Sequence, residues 1–142
     1  MSQSNLPKKF WVITSIMLAW NILGIVAFLV DFTMSAEALA KMPDAQRALY
    51  EDVPAWATVA YAVAVVCGTF GCIALLMKKA TAIPLFIVSF VAVVLQFGYA
   101  FLGADLIQVM GASSIAMPAA ITVVAIFLIW FSFSARRHNW IG

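Results

Sequence analysis

The sequence predicts an all-α integral membrane protein, a bundle of four helices that cross a lipid bilayer. Hydrophobic residues make up 65% of the 142 residues and charged residues 10%, whereas a soluble domain has about half and about a quarter. Four long runs are continuously apolar, which favours helices over the alternating pattern of a membrane β-barrel. Basic residues lie at the ends of these runs, where they are typical of membrane surfaces.

The four apolar runs define the predicted spans within a single transmembrane domain, residues 1–142. Each reaches the roughly 20 residues that a spanning helix needs, and none has Lys, Arg or Glu in its interior. A cleaved signal peptide is the alternative for the first run, but a signal core is only about 7–15 residues long. We therefore expect all four to remain as spans, at about residues 10–33, 54–77, 81–103 and 115–135.

The basic residues also predict an orientation. Three basic pairs fall on one side of the predicted membrane, at residues 8–9, 78–79 and 136–137, and only Lys41 and Arg47 fall on the other. Cytoplasmic loops are enriched in Lys and Arg, so both termini are predicted to be cytoplasmic. The short link at 77–81 makes the second and third helices antiparallel neighbours, within an up-down bundle.

The segment 34–53 is the only sizeable predicted piece outside the membrane. Its apolar residues recur at helical spacing, and Pro43 divides it. Proline ends a helix and is tolerated at the start of one, so we predict two short amphipathic turns on the outer surface, with Asp44 starting the second.

Small and polar residues recur at intervals of three and four within each span. Such residues are costly in lipid, so they are expected to face the bundle interior. The period is that of a left-handed bundle. Gly24, Gly68 and Gly71 are the predicted helix-packing positions. The inward-facing set is Thr14, Met17, Asn21, Gly24, Phe28 and Asp31; Thr58, Tyr61, Val65, Gly68 and Cys72; Ser89, Ala92, Gln96, Tyr99 and Gly103; and Thr122, Ala125, Ile129 and Ser132.

Asn21 and Gln96 are the strongest polar groups deep in the spans. One interpretation is that their amides hydrogen-bond to neighbouring helices and fix the packing register, which contributes about 0.6 kcal/mol each. The other is that they line a cavity for a small neutral polar solute, with Trp20, Tyr61 and Tyr99 as its walls. Asp31, Asp105 and Gln108 would lie near the outer mouth of that cavity.

Several classes of function are excluded by what the sequence lacks. It has one His, two separated Cys residues, no Gly-rich phosphate loop and no Ser–His–acid set, so we predict no enzyme, no metal site and no cofactor. The net charge of +2 and the scattered basic residues argue against nucleic acid as a partner. The expected partners are the lipid bilayer and either further copies of the chain or another membrane protein.

Four motifs together resemble a group of small bacterial four-helix membrane proteins that are often catalogued as "sugar transporter". They are Trp20-Asn21-x-x-Gly24, Pro54-x-Trp56, Gly68-x-x-Gly71 before Leu75-Leu76 and a basic pair, and Gln96-x-x-Tyr99. The resemblance covers nearly the whole chain and implies a bacterial inner membrane and a role in transport. The chain also has the size of small multidrug transporters, but those carry a glutamate in the first helix. Asn21 in its place weighs against proton-coupled cation export.

Two functions follow from these observations. The first, which is favoured because it explains every residue without a special site, is a non-enzymatic scaffold or accessory subunit that acts through helix–helix contacts. The second is a small-solute transporter, with a sugar as one such solute, that works as an oligomer. A dry, sealed seam favours the first, and a cavity that touches Asn21 and Gln96 favours the second.

Overall fold

A computed structural model describes residues 6–103 and 106–142 of the chain. All regular secondary structure in that part is helical. Four helices are long and apolar enough to cross a membrane, and they lie close to the predicted runs: Lys8–Phe32, Ala55–Leu76, Ala82–Gly103 and Ala112–Arg137.

The long helices are joined by shorter ones. In chain order the elements are α1 (Lys8–Phe32), α2 (Ala36–Ala40), α3 (Asp44–Glu51), α4 (Ala55–Leu76), α5 (Ala82–Gly98), a π-helical turn (Tyr99–Gly103), α6 (Leu106–Met110), a 3₁₀ turn (Ala112–Ile115) and α7 (Ala116–Arg137).

The segment between α1 and α4 confirms the two predicted short turns. Pro43 lies between α2 and α3, and α3 begins at Asp44. The Ser35 hydroxyl caps α2 by accepting a hydrogen bond from the Ala38 amide at 3.1 Å, as a serine N-cap commonly does. Both basic residues of this segment are held in ion pairs, Lys41 with Glu37 at 3.7 Å and Arg47 with Asp44.

The long helices pack in a chain of neighbours. α4 contacts both α1 and α5, and α5 contacts α7. Most of the residues predicted to face inward are buried or half-buried, such as Thr14 and Asn21 on α1 and Ser132 on α7, but Asp31 and Gly103 are exposed. The helical spacing therefore identified the inward faces along the spans, but it was wrong for these two residues, which lie near the end of α1 and at the end of the π-helical turn.

An aromatic cluster closes the bundle at the end where α1 begins and α7 ends. Phe10 stacks on Phe131 with ring centroids 5.9 Å apart, and Trp140 meets Phe10 edge-on at the same distance. Residues 140–142 turn back beneath the bundle, where the Ala80 amide donates to the Gly142 carbonyl and the Gly142 amide donates to the Lys78 carbonyl, each at 3.0 Å. Ile141 is buried in this cluster.

The opposite half of the bundle is more open. Residues of α1 from Trp20 to Asp31 and residues of α7 from Met117 to Leu128 line opposite sides of a cavity, with α4 and α5 as its floor. The π-helical turn, α6 and the 3₁₀ turn lie at this end and were not predicted. The structure therefore has one closed end and one end with open space between α1 and α7.

Candidate ligand-binding cavity

Two adjoining cavities occupy the open half of the bundle. The outer cavity has a volume of about 560 Å³ and lies beneath α3. The deep cavity has a volume of about 490 Å³ and lies between α1 and α7. They adjoin because both are lined by Asp31, Tyr61, Gln96 and Phe97. Sites for small molecules have volumes of about 300–1,000 Å³, so each cavity is large enough for one.

All five residues predicted to line a cavity line at least one of these two. Trp20 and Asn21 line the deep cavity, and Tyr99 lines the outer one. Tyr61 and Gln96 line both. The predicted group is thus spread along a path from the outer cavity to the middle of α1.

Asn21 is largely engaged in helix packing. Its Nδ2 donates to the Met17 carbonyl at 2.8 Å and to the Cys72 sulfur at 3.6 Å. Its Oδ1 lies directly against Gly68 of α4, where an added Cβ would overlap it. Asn21 therefore borders the deep cavity while its amide already has partners on α1 and α4.

Gln96 has a different environment. It is half-buried on α5 and faces both cavities. Among the hydrogen bonds of residues 6–103 and 106–142, none involves its side chain. A glutamine amide offers two donors and an acceptor, so Gln96 can present all of them to a molecule at the junction of the cavities.

An acidic and aromatic group surrounds the outer cavity. Asp31, Tyr50 and Tyr61 line it together. The Phe28 ring meets the Tyr61 ring edge-on, with centroids 5.0 Å apart. Burial, and secondarily the charge of Asp31, raise the pKa of the Tyr50 phenol. Tyr50 therefore stays protonated near neutral pH and can donate a hydrogen bond.

Tyr99 closes one side of the outer cavity. It is the first residue of the π-helical turn, and its hydroxyl donates to the Asp52 carbonyl at 3.2 Å. Its ring meets Trp56 edge-on at 5.7 Å. Single π-helical turns are frequent at functional sites, and here the turn lies directly after the helix that carries Gln96.

The predicted outer mouth is only partly assembled in the described residues. Asp31 lines both cavities. Gln108 is exposed on α6 and lines neither. Asp105 lies outside the described residues.

The three predicted packing glycines each contact a neighbouring helix. An added Cβ at Gly24 would lie 3.2 Å from Val65, and one at Gly71 would overlap the Phe86 ring. Gly68 contacts Asn21. At these positions α4 is therefore in tight contact with α1 or α5.

Several lining residues were not singled out as cavity residues from the sequence. Phe28 and Ser89 belong to the predicted inward faces, so only their role in a cavity was missed. The residues that α3 contributes are Gln46, Leu49 and Tyr50. Their spacing of three and four places them on one face of α3. That spacing was the available signal that α3 covers something apolar.

In chemical terms the combined site is amphipathic. The outer cavity offers a carboxylate, phenols and an amide, and the deep cavity is lined mainly by apolar side chains such as Ala64, Val93 and Leu128. Within the part of the chain that the structure describes, no three His, Cys, Asp or Glu side chains group together as metal ligands. Comparison with known protein families, curated proteins and solved structures found no match.

Proposed function

We propose that this chain is a multi-pass protein of a bacterial inner membrane that binds and transports a small molecule through the two cavities. The observation that carries the proposal is the Gln96 amide, which faces both cavities without a hydrogen-bond partner among the described residues. A scaffold held together by polar seams needs such an amide to be paired across helices, because an unpaired polar group in the membrane is costly.

The membrane arrangement belongs to the same proposal. The helices run antiparallel, up and down, with both termini cytoplasmic, because that orientation places the three basic pairs inside. The segment with α2 and α3 then lies on the outer surface, and the outer cavity opens towards the periplasm. The motifs that resemble those of proteins catalogued as "sugar transporter" support a transport role.

Four helices leave little room for a complete pathway, so the working unit is an oligomer. Exposed apolar side chains on α1 and α7, including Leu23 and Trp130, contact either lipid or a second copy. Native mass measurement on the protein in nanodiscs, without detergent, should give a mass above that of one chain. It would also report molecules retained in the cavities.

Transport is tested with the purified protein in liposomes. A panel of small polar and amphipathic solutes is offered to the wild type and to Gln96→Leu, with Gln108→Leu as the matched control because Gln108 lines neither cavity. Transport predicts that Gln96→Leu abolishes flux of the responsive solute while Gln108→Leu retains it. The scaffold function predicts weaker packing in Gln96→Leu and no flux for any solute in the wild type.

A further inference from the structure

We infer that the ligand of the two cavities is an amphipathic organic ammonium ion, whose charged head binds beside Asp31 and whose apolar part occupies the deep cavity. This inference rests on the proposed function and names the substrate class of the same site. It is argued from the charges at the outer cavity, from the rings around Asp31 and from the apolar lining below.

The first step concerns charge. Asp31 lines both cavities. The ion pairs among the described residues are Lys41 with Glu37 and Arg47 with Asp44, and these are the two basic residues of the segment that covers the outer cavity. Neither Lys41 nor Arg47 neutralises Asp31, because each is paired with another carboxylate. Asp31 is exposed at the cavity lining and has no ion-pair partner among the described residues. Its carboxylate attracts a cation that reaches it, so the outer cavity favours a positive head group.

The second step concerns the rings around that carboxylate. The Phe28 and Tyr61 rings are packed edge-to-face, and Tyr50 lines the same cavity. Aromatic faces attract ammonium and quaternary ammonium groups, most strongly where water is excluded. A carboxylate bordered by three aromatic side chains therefore suits an ammonium ion better than a compact metal cation, for which carboxylates and carbonyls usually supply several oxygen ligands.

The third step concerns the rest of the ligand. The deep cavity continues from Asp31 and Tyr61 towards Trp20 and Leu128 and is mainly apolar. Leu23 and Met117 line it and are exposed at its sides. In a bilayer these side chains lie among lipid tails, so an apolar group can enter the deep cavity from the membrane. A head near Asp31 and a tail along α1 and α7 match an amphiphile.

Proton-coupled cation export of the kind considered from the sequence needs a carboxylate deep in the first span, whereas Asp31 lies near the end of α1. The inference here is about which head group the cavity binds, not about coupling to protons.

The test compares two probes that differ in the head group. One is (4-phenylbutyl)trimethylammonium and the other is 4-phenylbutyl glucoside, each titrated by calorimetry into the protein in nanodiscs, with empty nanodiscs as the partition blank. The wild type should bind the ammonium probe at least about tenfold more tightly, because a charge-assisted contact and cation–π contacts are lost with the neutral head.

Variants then assign that preference to Asp31. Asp31→Asn should weaken the ammonium probe about tenfold and leave the glucoside unchanged, while Asp31→Glu, which keeps the charge, should retain part of the preference. Glu51→Gln is the matched control for lost surface charge, because Glu51 is exposed on α3 and lines neither cavity; its affinity should stay within about twofold. The helical content of each variant is checked by circular dichroism.

The outcomes separate the two proposals. Equal affinity for both probes, or an ammonium affinity that Asp31→Asn leaves intact, overturns the ammonium inference and keeps a ligand-binding cavity. Tighter binding of the glucoside overturns it in favour of a sugar head group. If neither probe nor any solute of the transport panel binds or crosses, the proposed function fails as well.

Discussion

At the scale of single residues, two chemically similar amides have different surroundings. Asn21 donates to Met17 and Cys72 and lies against Gly68, so its side chain is part of the α1–α4 contact. Gln96 faces the two cavities. The sequence predicts both as deep polar groups, but it cannot tell them apart, because a partner on another helix depends on how the helices approach.

The contact between Asn21 and Gly68 provides the first prediction. Alanine is favoured over glycine in a helix by about 1 kcal/mol, but a Cβ at position 68 would overlap Asn21 Oδ1. We expect Gly68→Ala to lower the free energy of unfolding by about 1–3 kcal/mol. Adding Asn21→Ala should recover most of that loss. Unfolding is measured by chemical denaturation in mixed micelles.

Gly98→Ala is the control for this pair. An added Cβ at position 98 meets nothing within 4 Å, so the substitution should leave the stability unchanged or raise it. A Gly68→Ala protein as stable as the wild type, or a double variant that shows no recovery, would mean that Asn21 does not occupy this position.

At the scale of elements, the short turn from α4 to α5 is held in place by residues 140–142. Gly142 makes two backbone hydrogen bonds with this turn, one with Lys78 and one with Ala80. Lys78 has a positive φ of 59°, the left-handed conformation that commonly ends a helix. The side chain of Ile141 is buried beneath this turn. Residues 140–142 therefore link α7 to the α4–α5 connection.

The second prediction tests that link. Ile141 is 4% exposed and Ile126 on α7 is 52% exposed. Ile141→Ala should lower the free energy of unfolding by about 2–4 kcal/mol, because it opens a cavity in the aromatic cluster. Ile126→Ala makes the same chemical change on an open face and should cost well under 1 kcal/mol. If the two variants lost equal amounts of unfolding free energy, residues 140–142 would not be packed under the α4–α5 turn.

The elements also show how far the sequence determines the fold. Runs of apolar residues predicted all four long helices, and Pro43 predicted the division between α2 and α3. The π-helical turn at Tyr99–Gly103 could not be foreseen, because its residues are as apolar as those of the helix before it. Nor could the gap between the outer halves of α1 and α7, since it depends on distant packing and not on local sequence.

At the scale of the whole molecule, the two ends of the bundle differ both in charge and in how tightly they are packed. The closed, aromatic end carries the three basic pairs, and the open end carries α2, α3 and Asp31. Under the proposed orientation, the cavities face away from the cytoplasm.

The third prediction tests that orientation. Cys67 and Cys72 are first replaced by Ala, and single cysteines are then placed at Lys41, Lys79, Ala112 and His138, all of which are exposed. An impermeant thiol reagent added to intact cells should label positions 41 and 112 and leave positions 79 and 138 unlabelled. Permeabilised cells should show all four labelled, which controls for access. Labelling of position 79 in intact cells would reverse the orientation.

The aromatic cluster at the closed end has a consequence for direction. Phe10, Phe131 and Trp140 pack together at the end of the bundle away from α3, and none of them lines either cavity. Under the proposed function, a ligand therefore reaches the cavities from the α3 side or from the adjoining membrane and not through this cluster. Under the same proposal, passage along the bundle to the other side would require the Phe10–Phe131 stack to separate. The two rings that would have to part lie at one end of α1, far from the groups proposed to select the ligand.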